Sequence, residues 1–159
     1  MSPTERVQAA IDALGLESRV QRFAASTATA EEAAAAVGCE LGQIVKTLFF
    51  LADGRPTIVL VAGDRQADTA ALAEVLGVPR KKLRMGSPET VLESTGFAVG
   101  GVAPVGLLTP CDVLADESLC RFDRIWAAAG ARDAVFGANT EALVMAVNGQ
   151  WAAIVRPPV

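Results

Sequence analysis

Residues 44–62 read IVKTLFFLADGRPTIVLVA. The run from Ile44 to Ala52 is rich in β-branched and aromatic residues, which favour strands. Asp53-Gly54 follows it, and a second apolar run extends from Thr57 to Ala62. An Asp-Gly pair between two strand-like runs is typical of a tight hairpin turn. The sequence therefore predicts a hairpin at the centre of a β-sheet.

Helix start and stop signals lie on the N-terminal side of this hairpin. Ser2-Pro3-Thr4-Glu5 reads as a capping box with proline at the first helical position, and we expect that helix to end at Gly15. Thr29-Ala30-Glu31-Glu32 repeats the signal before an alanine-rich helix that ends near Gly38. A short strand is predicted between them, at Val20–Ala24.

On the C-terminal side the predicted elements alternate without a regular pattern. Asp68 caps a helix that runs through Leu76, Ser87 opens a short one, and Asn139 caps one through Ala146. Strands are predicted at Val105–Leu108, Val113–Ala115, Arg124–Ala129 and Trp151–Val155. Without a βαβ rhythm, an α+β fold with a mixed, curved β-sheet flanked by helices is favoured. We interpret residues 1–159 as a single domain, because 52% apolar residues supply one core.

Histidine is absent, which removes the commonest general base and metal ligand. Ser-His-Asp, Cys-His and HExxH chemistries are therefore excluded. The three cysteines, Cys39, Cys111 and Cys120, form no CxxC pair and are expected to be reduced and structural. We predict no metal and no cofactor.

The net charge of −4 argues against a protein that coats nucleic acid, since non-specific affinity comes from Lys and Arg on phosphates. If RNA binds, few phosphates are held or a partner helps. We expect no DNA and no membrane partner. The sequence shows neither a signal peptide nor an apolar run of about 20 residues, so a cytoplasmic location is predicted.

Lys46 interrupts an apolar strand. A buried ammonium group needs a carboxylate, a carbonyl, a pocket mouth or an anionic ligand. The alternative is a lysine that extends to the sheet edge. Candidate carboxylate partners are Asp64, Asp68, Asp112 and Asp116, and the sequence does not choose among them.

Two other segments are candidates for a site. Thr95–Gly106 contains four glycines and a proline, and such a loop either exposes backbone N–H groups to a ligand or is a tight connection. It lacks the GxGxxG and GxxxxGK[ST] patterns of nucleotide-phosphate loops. Trp126–Gly130 ends a strand with small residues and forms either a pocket wall or a packed strand end.

In order along the chain, IVKTLFF around Lys46, VAGDR at 61–65, TGFAVGGVAP at 95–104 and the late strand ending AAAG resemble the YbaK/EbsC family. That family is related to the editing domain of some bacterial prolyl-tRNA synthetases. The resemblance spans about Ala30 to Trp151. It implies an α+β aminoacyl-tRNA deacylase whose expected partners are the acceptor end of aminoacyl-tRNA and prolyl-tRNA synthetase.

By the same resemblance, Lys46 matches the family's functional lysine and Gly100–Pro104 matches its GxxxP loop at the aminoacyl and terminal adenosine site. The implied catalytic residues are Lys46, Gly100 and Gly101. The implied substrate-binding residues are Thr47, Val102, Ala103, Pro104, Ala128 and Gly130. A ribose hydroxyl of the substrate is implied to help activate the water, with backbone donors from the glycine loop.

Two positions depart from the family pattern, because related sequences often carry serine where this one has Ala103 and Ala128. Both departures remove a hydroxyl from the expected site. They leave open a binding module of the same fold without turnover. A small-molecule esterase is a weaker alternative, because no nucleophile–base pair is visible. If the main chain at Gly101 approaches substrate, Gly101→Val is expected to damage catalysis more than stability.

Overall fold

Helices and strands are interspersed along the chain in the computed structural model, which describes residues 1–157. The helices of this part are α1 (Pro3–Ala13), α2 (Ala30–Val37), α3 (Thr69–Leu76), α4 (Pro88–Thr95) and α5 (Thr140–Ala146). Its strands are β1 (Gln21–Arg22), β2 (Val45–Ala52), β3 (Arg55–Ala62), β4 (Leu83–Met85), β5 (Asp112–Asp116), β6 (Arg124–Ala128), β7 (Ala134–Asn139) and β8 (Gln150–Ala152). None of the helices within residues 1–157 has the length and apolar character needed to cross a membrane.

The predicted hairpin is confirmed. β2 and β3 are antiparallel partners over their full length, from Val45 opposite Ala62 to Ala52 opposite Arg55. Asp53 and Gly54 form the turn with φ values of 50° and 81°. Two positive φ angles suit the twist of a two-residue hairpin, and Asp and Gly tolerate them better than most residues.

The hairpin is the centre of a five-stranded sheet with the order β4-β2-β3-β5-β8. β4, β2 and β3 are antiparallel neighbours, whereas β3, β5 and β8 are parallel. A second sheet, β1-β7-β6, is antiparallel throughout. An isolated bridge between Ile44 and Trp126 connects the two sheets. The predicted α+β class with a mixed sheet is confirmed.

The helix N-termini are where capping chemistry predicts them. Ser2 and Thr29 form complete capping boxes with Glu5 and Glu32, and both boxes satisfy backbone N–H groups that the first helical turn leaves free. The remaining helices are capped by Asp68, Ser87 and Asn139.

The two faces of the central sheet bury two apolar clusters. One face carries Phe49, Ile58 and Leu60, which pack in a cluster with α1, α5 and the second sheet. The other carries Phe50, Val59 and Val61, whose cluster includes Leu72 of α3. Alternation of side chains along β2 and β3 therefore divides their apolar residues between two cores.

Residues Val105–Leu108 were predicted as a strand, and this prediction is wrong. The segment is irregular, and the Gly106 carbonyl accepts a hydrogen bond of 2.8 Å from Arg6 Nε of α1 instead of pairing in a sheet. β4 and β7 were missed. β7 is almost wholly buried, but it mixes small residues with Val135 and Phe136 and has no alternating pattern.

The glycine-rich loop is held by backbone contacts. Ala98–Gly101 forms a β-turn in which the Gly101 N–H donates to the Ala98 carbonyl at 3.0 Å, with Gly100 at φ 95° in the position that favours glycine. The Gly101 carbonyl in turn accepts from the Gly130 N–H at 2.9 Å. A Cβ on Gly101 would lie 2.8 Å from the Ala131 nitrogen. Gly101 therefore joins two main-chain segments at close range.

This close approach changes the expectation for Gly101→Val. We expect the substitution to lower the stability of the fold by at least about 2 kcal/mol, because the side chain collides with backbone that cannot rotate away. Thermal unfolding measures this as a loss of about 4 °C or more. Gly101→Ala is expected to keep much of the loss, since its Cβ makes the contact. A normal melting temperature with lost activity would instead indicate approach to a ligand.

Candidate functional site

Within residues 1–157, one edge of β2 has no strand partner at its middle. On this edge the Ile44–Trp126 bridge joins β6 at one end, and the Phe49 carbonyl accepts from the Gly86 N–H at the other, at 3.1 Å. The Ile44 carbonyl points to the opposite edge, where it accepts from Gly63. Because backbone groups alternate between the two edges of a strand, Thr47 directs its N–H and carbonyl to the unpaired edge.

A cavity of about 630 Å³ lies along this edge. Its walls come from β2, the start of α2, the Met85–Val91 segment, the glycine loop and β6. Most of the lining is apolar, with Phe49, Trp126 and Val135 among the larger side chains. Both the volume and the lining are typical of small-molecule sites, in which a few polar groups orient the ligand.

Lys46 supplies a cation to this cavity. Its Nζ donates to the carbonyl of Arg65, so its partner within the described chain is a carbonyl rather than a carboxylate. Burial lowers the pKa of the Lys46 ammonium, while the negative charges of Glu31 and Asp64 act in the opposite direction. A half-buried cation bonded to a neutral acceptor retains an unneutralised charge that an anionic ligand can meet.

None of the four carboxylates considered as partners of Lys46 forms an ion pair with it within residues 1–157. Asp64 accepts two hydrogen bonds from Arg121, at 2.8 and 3.0 Å, and these bonds hold the pKa of its carboxyl below the usual value. Asp68 caps α3, and Asp116 accepts from the backbone of Ile154. Asp112 begins β5 and is exposed.

The adjacent residue, Thr47, lines the same cavity and carries an orphaned hydroxyl. Its Oγ1 is buried and has no hydrogen-bond partner among residues 1–157. Leaving such a group unpaired costs about 1–3 kcal/mol. A buried hydroxyl without a partner beside a cavity is a position where a bound molecule can supply the missing hydrogen bond.

The glycine loop contributes only part of its length to the cavity. Gly100 and Val102 line it, as does Val99, whose side chain is 53% exposed. Gly101 is buried and its N–H is already bonded to Ala98, so it is not free to donate to a ligand. Ala103 and Pro104 are buried and do not line the cavity.

The segment Trp126–Gly130 also contributes only part of its length to the cavity. Ala128 lines the cavity, whereas Gly130 lies outside it and approaches the start of α1, with Pro3 2.9 Å from the position of a Cβ. Of the two departures from the family pattern, only Ala128 thus changes the cavity wall. Ala103 is 0% exposed in the core, where a serine hydroxyl would need a buried partner.

Two charged residues, one in the cavity wall and one beside the glycine loop, were not predicted from the sequence. Glu31, which the alanine-rich helix pattern absorbs, lines the cavity from the first turn of α2. Arg132 donates to the Val99 carbonyl at 3.3 Å and lies against Gly100. It lies two residues after the end of the AAAG segment, and this proximity is the one signal available in the sequence.

The chemistry of the remaining side chains is limited. The cysteines do not line the cavity, and burial raises the pKa of all three thiols, which opposes thiolate formation. Residues 1–157 bring no three Cys, Asp or Glu side chains together as a metal-ligand set. The cavity can therefore offer a cation, a free hydroxyl, main-chain groups and one carboxylate.

Comparisons with known proteins show which sequences and structures this chain resembles. A family model described as an aminoacyl-tRNA editing domain matches residues 24–145. YwhH of Bacillus subtilis, an uncharacterized protein, is 41% identical over 118 residues, which cover 74% of this chain and 73% of YwhH. A crystal structure described as that of a candidate trans-editing enzyme for prolyl-tRNA synthetase superposes with a TM-score of 0.92 at 39% identity, over 99% of each chain.

The proline–tRNA ligase of Nitratidesulfovibrio vulgaris (strain DP4) is 42% identical over 91 residues. The match covers 57% of this chain but 16% of the ligase, so the chain corresponds to one portion of that larger enzyme. The family model spans most of the chain and includes β2, the glycine loop and β6. The chain therefore belongs to the aminoacyl-tRNA editing domain family.

Proposed function

We propose that this protein is a trans-editing hydrolase that deacylates mischarged aminoacyl-tRNA, and that the cavity beside β2 holds the aminoacyl group and the terminal adenosine. One observation carries the proposal. The Lys46 cation and the Thr47 hydroxyl, which has no hydrogen-bond partner within residues 1–157, lie on consecutive residues at the open edge of β2. A largely apolar cavity explains how a neutral aminoacyl side chain is accommodated next to these polar groups.

The proposed chemistry needs no protein nucleophile. An aminoacyl ester is activated, so a water that is held and oriented can attack its carbonyl carbon. The ester carbon–oxygen bond then breaks, and the ribose oxygen leaves with a proton that the water supplies through the neighbouring free ribose hydroxyl. Main-chain N–H groups of Gly100 and Thr47 are candidates to stabilise the developing oxyanion.

Lys46 and Thr47 are given different roles in this proposal. Lys46 binds the phosphate of the terminal nucleotide, since its charge has no carboxylate bonded to it. Thr47 bonds the aminoacyl group or the water through Oγ1. Val102 and Ala128 form walls, and Gly101, Ala103, Pro104 and Gly130 act by supporting the loop and the late strand behind those walls.

The proposed substrate is a mischarged tRNA of the proline type, and prolyl-tRNA synthetase is the proposed partner. This choice of substrate and partner is supported by the proline–tRNA ligases among the relatives and by the structure described as a candidate trans-editing enzyme. A deacylation screen across mischarged tRNAs tests it. Hydrolysis confined to tRNAs outside the proline set would contradict this substrate.

Lys46→Met is expected to reduce kcat/KM for mischarged tRNA by about a hundredfold or more, because the cavity loses its cation and keeps a side chain of similar length. The melting temperature is expected to stay within about 3 °C of the original value or to rise, since a desolvated charge is removed. Single-turnover hydrolysis and thermal unfolding of the same preparations measure both effects.

Arg156→Met is the matched control, because Arg156 is exposed and lies outside the cavity. It should turn over like the original protein. A Lys46→Met variant with nearly unchanged kcat/KM would remove Lys46 from the mechanism. If the original protein binds mischarged tRNA without hydrolysing it, the binding module without turnover becomes the better description.

A mischarged tRNA whose terminal adenosine carries a 2′-deoxy ribose tests the substrate-assisted step. We expect its affinity to change little and its hydrolysis to slow by at least about a hundredfold, the low end of what a positioned acid–base group contributes. Stopped-flow binding and quench-flow hydrolysis separate the two quantities. Equal rates for the two substrates would place the base on the protein. Glu31, whose side chain lines the cavity, would then be the first residue to replace with Gln.

A further inference from the structure

The segment 77–88 reads GVPRKKLRMGSP and carries the densest positive charge of the chain. Four of the fourteen Lys and Arg residues fall here, namely Arg80, Lys81, Lys82 and Arg84, which we call the basic patch. All eighteen Asp and Glu residues fall elsewhere. An acidic protein thus carries one local region of opposite sign.

The basic patch is exposed on a well-anchored part of the backbone. Arg80–Lys82 form a single 3-10 turn, and β4 then pairs with Phe50–Ala52 of β2. Leu83, between the charged residues, is 4% exposed in the core. All four charged side chains are exposed, and none forms a salt bridge within residues 1–157.

The carboxylates on neighbouring elements leave these charges uncompensated. Asp53, in the hairpin turn, donates its backbone N–H to the Lys82 carbonyl, but its side chain forms no ion pair in the described part of the chain. Glu89 and Glu93 on α4 are exposed and are likewise outside the ion pairs of residues 1–157. Clustered like charges repel one another and raise the local positive potential.

The basic patch continues directly into the cavity. Met85 follows Arg84 and Gly86 follows Met85, and both line the cavity. Arg84 lies opposite Leu51 in the β2–β4 register, four residues along β2 from Thr47. At about 3.3 Å per residue, Arg84 lies roughly 13 Å from Thr47 along the strand direction.

We propose that the basic patch binds the phosphate backbone of the tRNA acceptor strand, at nucleotides preceding the terminal adenosine. This inference rests on the proposed function, because it assumes that the adenosine occupies the cavity. Electrostatic contacts to a few phosphates add affinity without base readout. They also explain how a chain with net charge −4 can hold RNA, since the contacts are confined to one side of the cavity.

A lipid surface is the other partner that exposed cations attract, and the structure favours RNA. The patch forms a single 3-10 turn and a three-residue strand, not an amphipathic helix with an apolar face. Met85, 60% exposed, is the apolar side chain beside it, and it faces the cavity rather than forming part of a broad apolar surface.

The test compares two charge-matched double variants, Lys81→Gln/Arg84→Gln in the basic patch and Arg19→Gln/Arg156→Gln away from it. Each is assayed with mischarged tRNA and with the corresponding aminoacyl-adenosine, which has no phosphates. We expect the patch variant to lose about tenfold in kcat/KM on tRNA at 50 mM salt and to keep its rate on aminoacyl-adenosine. Its salt slope should fall by about 1.4, at roughly 0.7 for each single-strand phosphate contact.

A patch variant that loses no more than the control on tRNA would overturn the inference, as would equal losses on both substrates. Anisotropy with uncharged tRNA measures binding without hydrolysis, so it decides the inference even if neither ester is hydrolysed. Failure to hydrolyse either ester counts against the proposed function alone. Phosphatidylserine vesicles complete the test, because patch-dependent vesicle binding with unchanged tRNA binding would assign this surface to a membrane.

Discussion

The incomplete pairing of β2 is the constraint on which the site depends. β3 pairs with β2 over its full length and fixes its position in the sheet. On the opposite edge, the pairing that the described residues provide comes from β6 and β4 near the two ends of β2, and the cavity lies between these two places. A strand paired along both edges would have no main-chain groups left at Thr47. The hydrogen bonds that β2 does not form within the sheet are those available to a ligand.

Consecutive residues at this edge combine two kinds of chemistry. Side chains alternate across a strand, so Lys46 lies on the face of Phe50 and Thr47 on the face of Phe49. Both nevertheless line the cavity because it lies at the edge of the sheet rather than on one face. One side chain brings charge and the other a hydroxyl. The loop behind them is held by the Gly101–Gly130 backbone contact, so the walls depend on residues that never touch the cavity.

Local signals in the sequence predicted the hairpin and the helix caps, because Asp53-Gly54 and the Ser, Thr, Asp and Asn caps act through neighbouring residues. Lys46 was identified since a charge in an apolar strand needs a partner. The strand at Val105–Leu108 was predicted wrongly because the hydrogen bond from Arg6 joins residues 100 positions apart. Glu31 and Arg132 were missed for the same reason, because the places of Glu31 in the cavity wall and of Arg132 beside the glycine loop follow from tertiary packing. The sequence also did not indicate that Gly100 lines the cavity whereas the neighbouring Gly101 is buried outside it.

The binding position of a non-hydrolysable substrate analogue tests whether the cavity beside β2 is the editing site. An aminoacyl-adenosine with an amide in place of the ester, titrated against isotope-labelled protein, reports on each backbone amide by NMR. We expect the largest shifts at Thr47, Gly100 and Ala128, with protection of the Thr47 hydroxyl proton from exchange. Saturable binding whose shifts lie elsewhere, with Thr47 unaffected, would contradict the assignment of this cavity as the editing site.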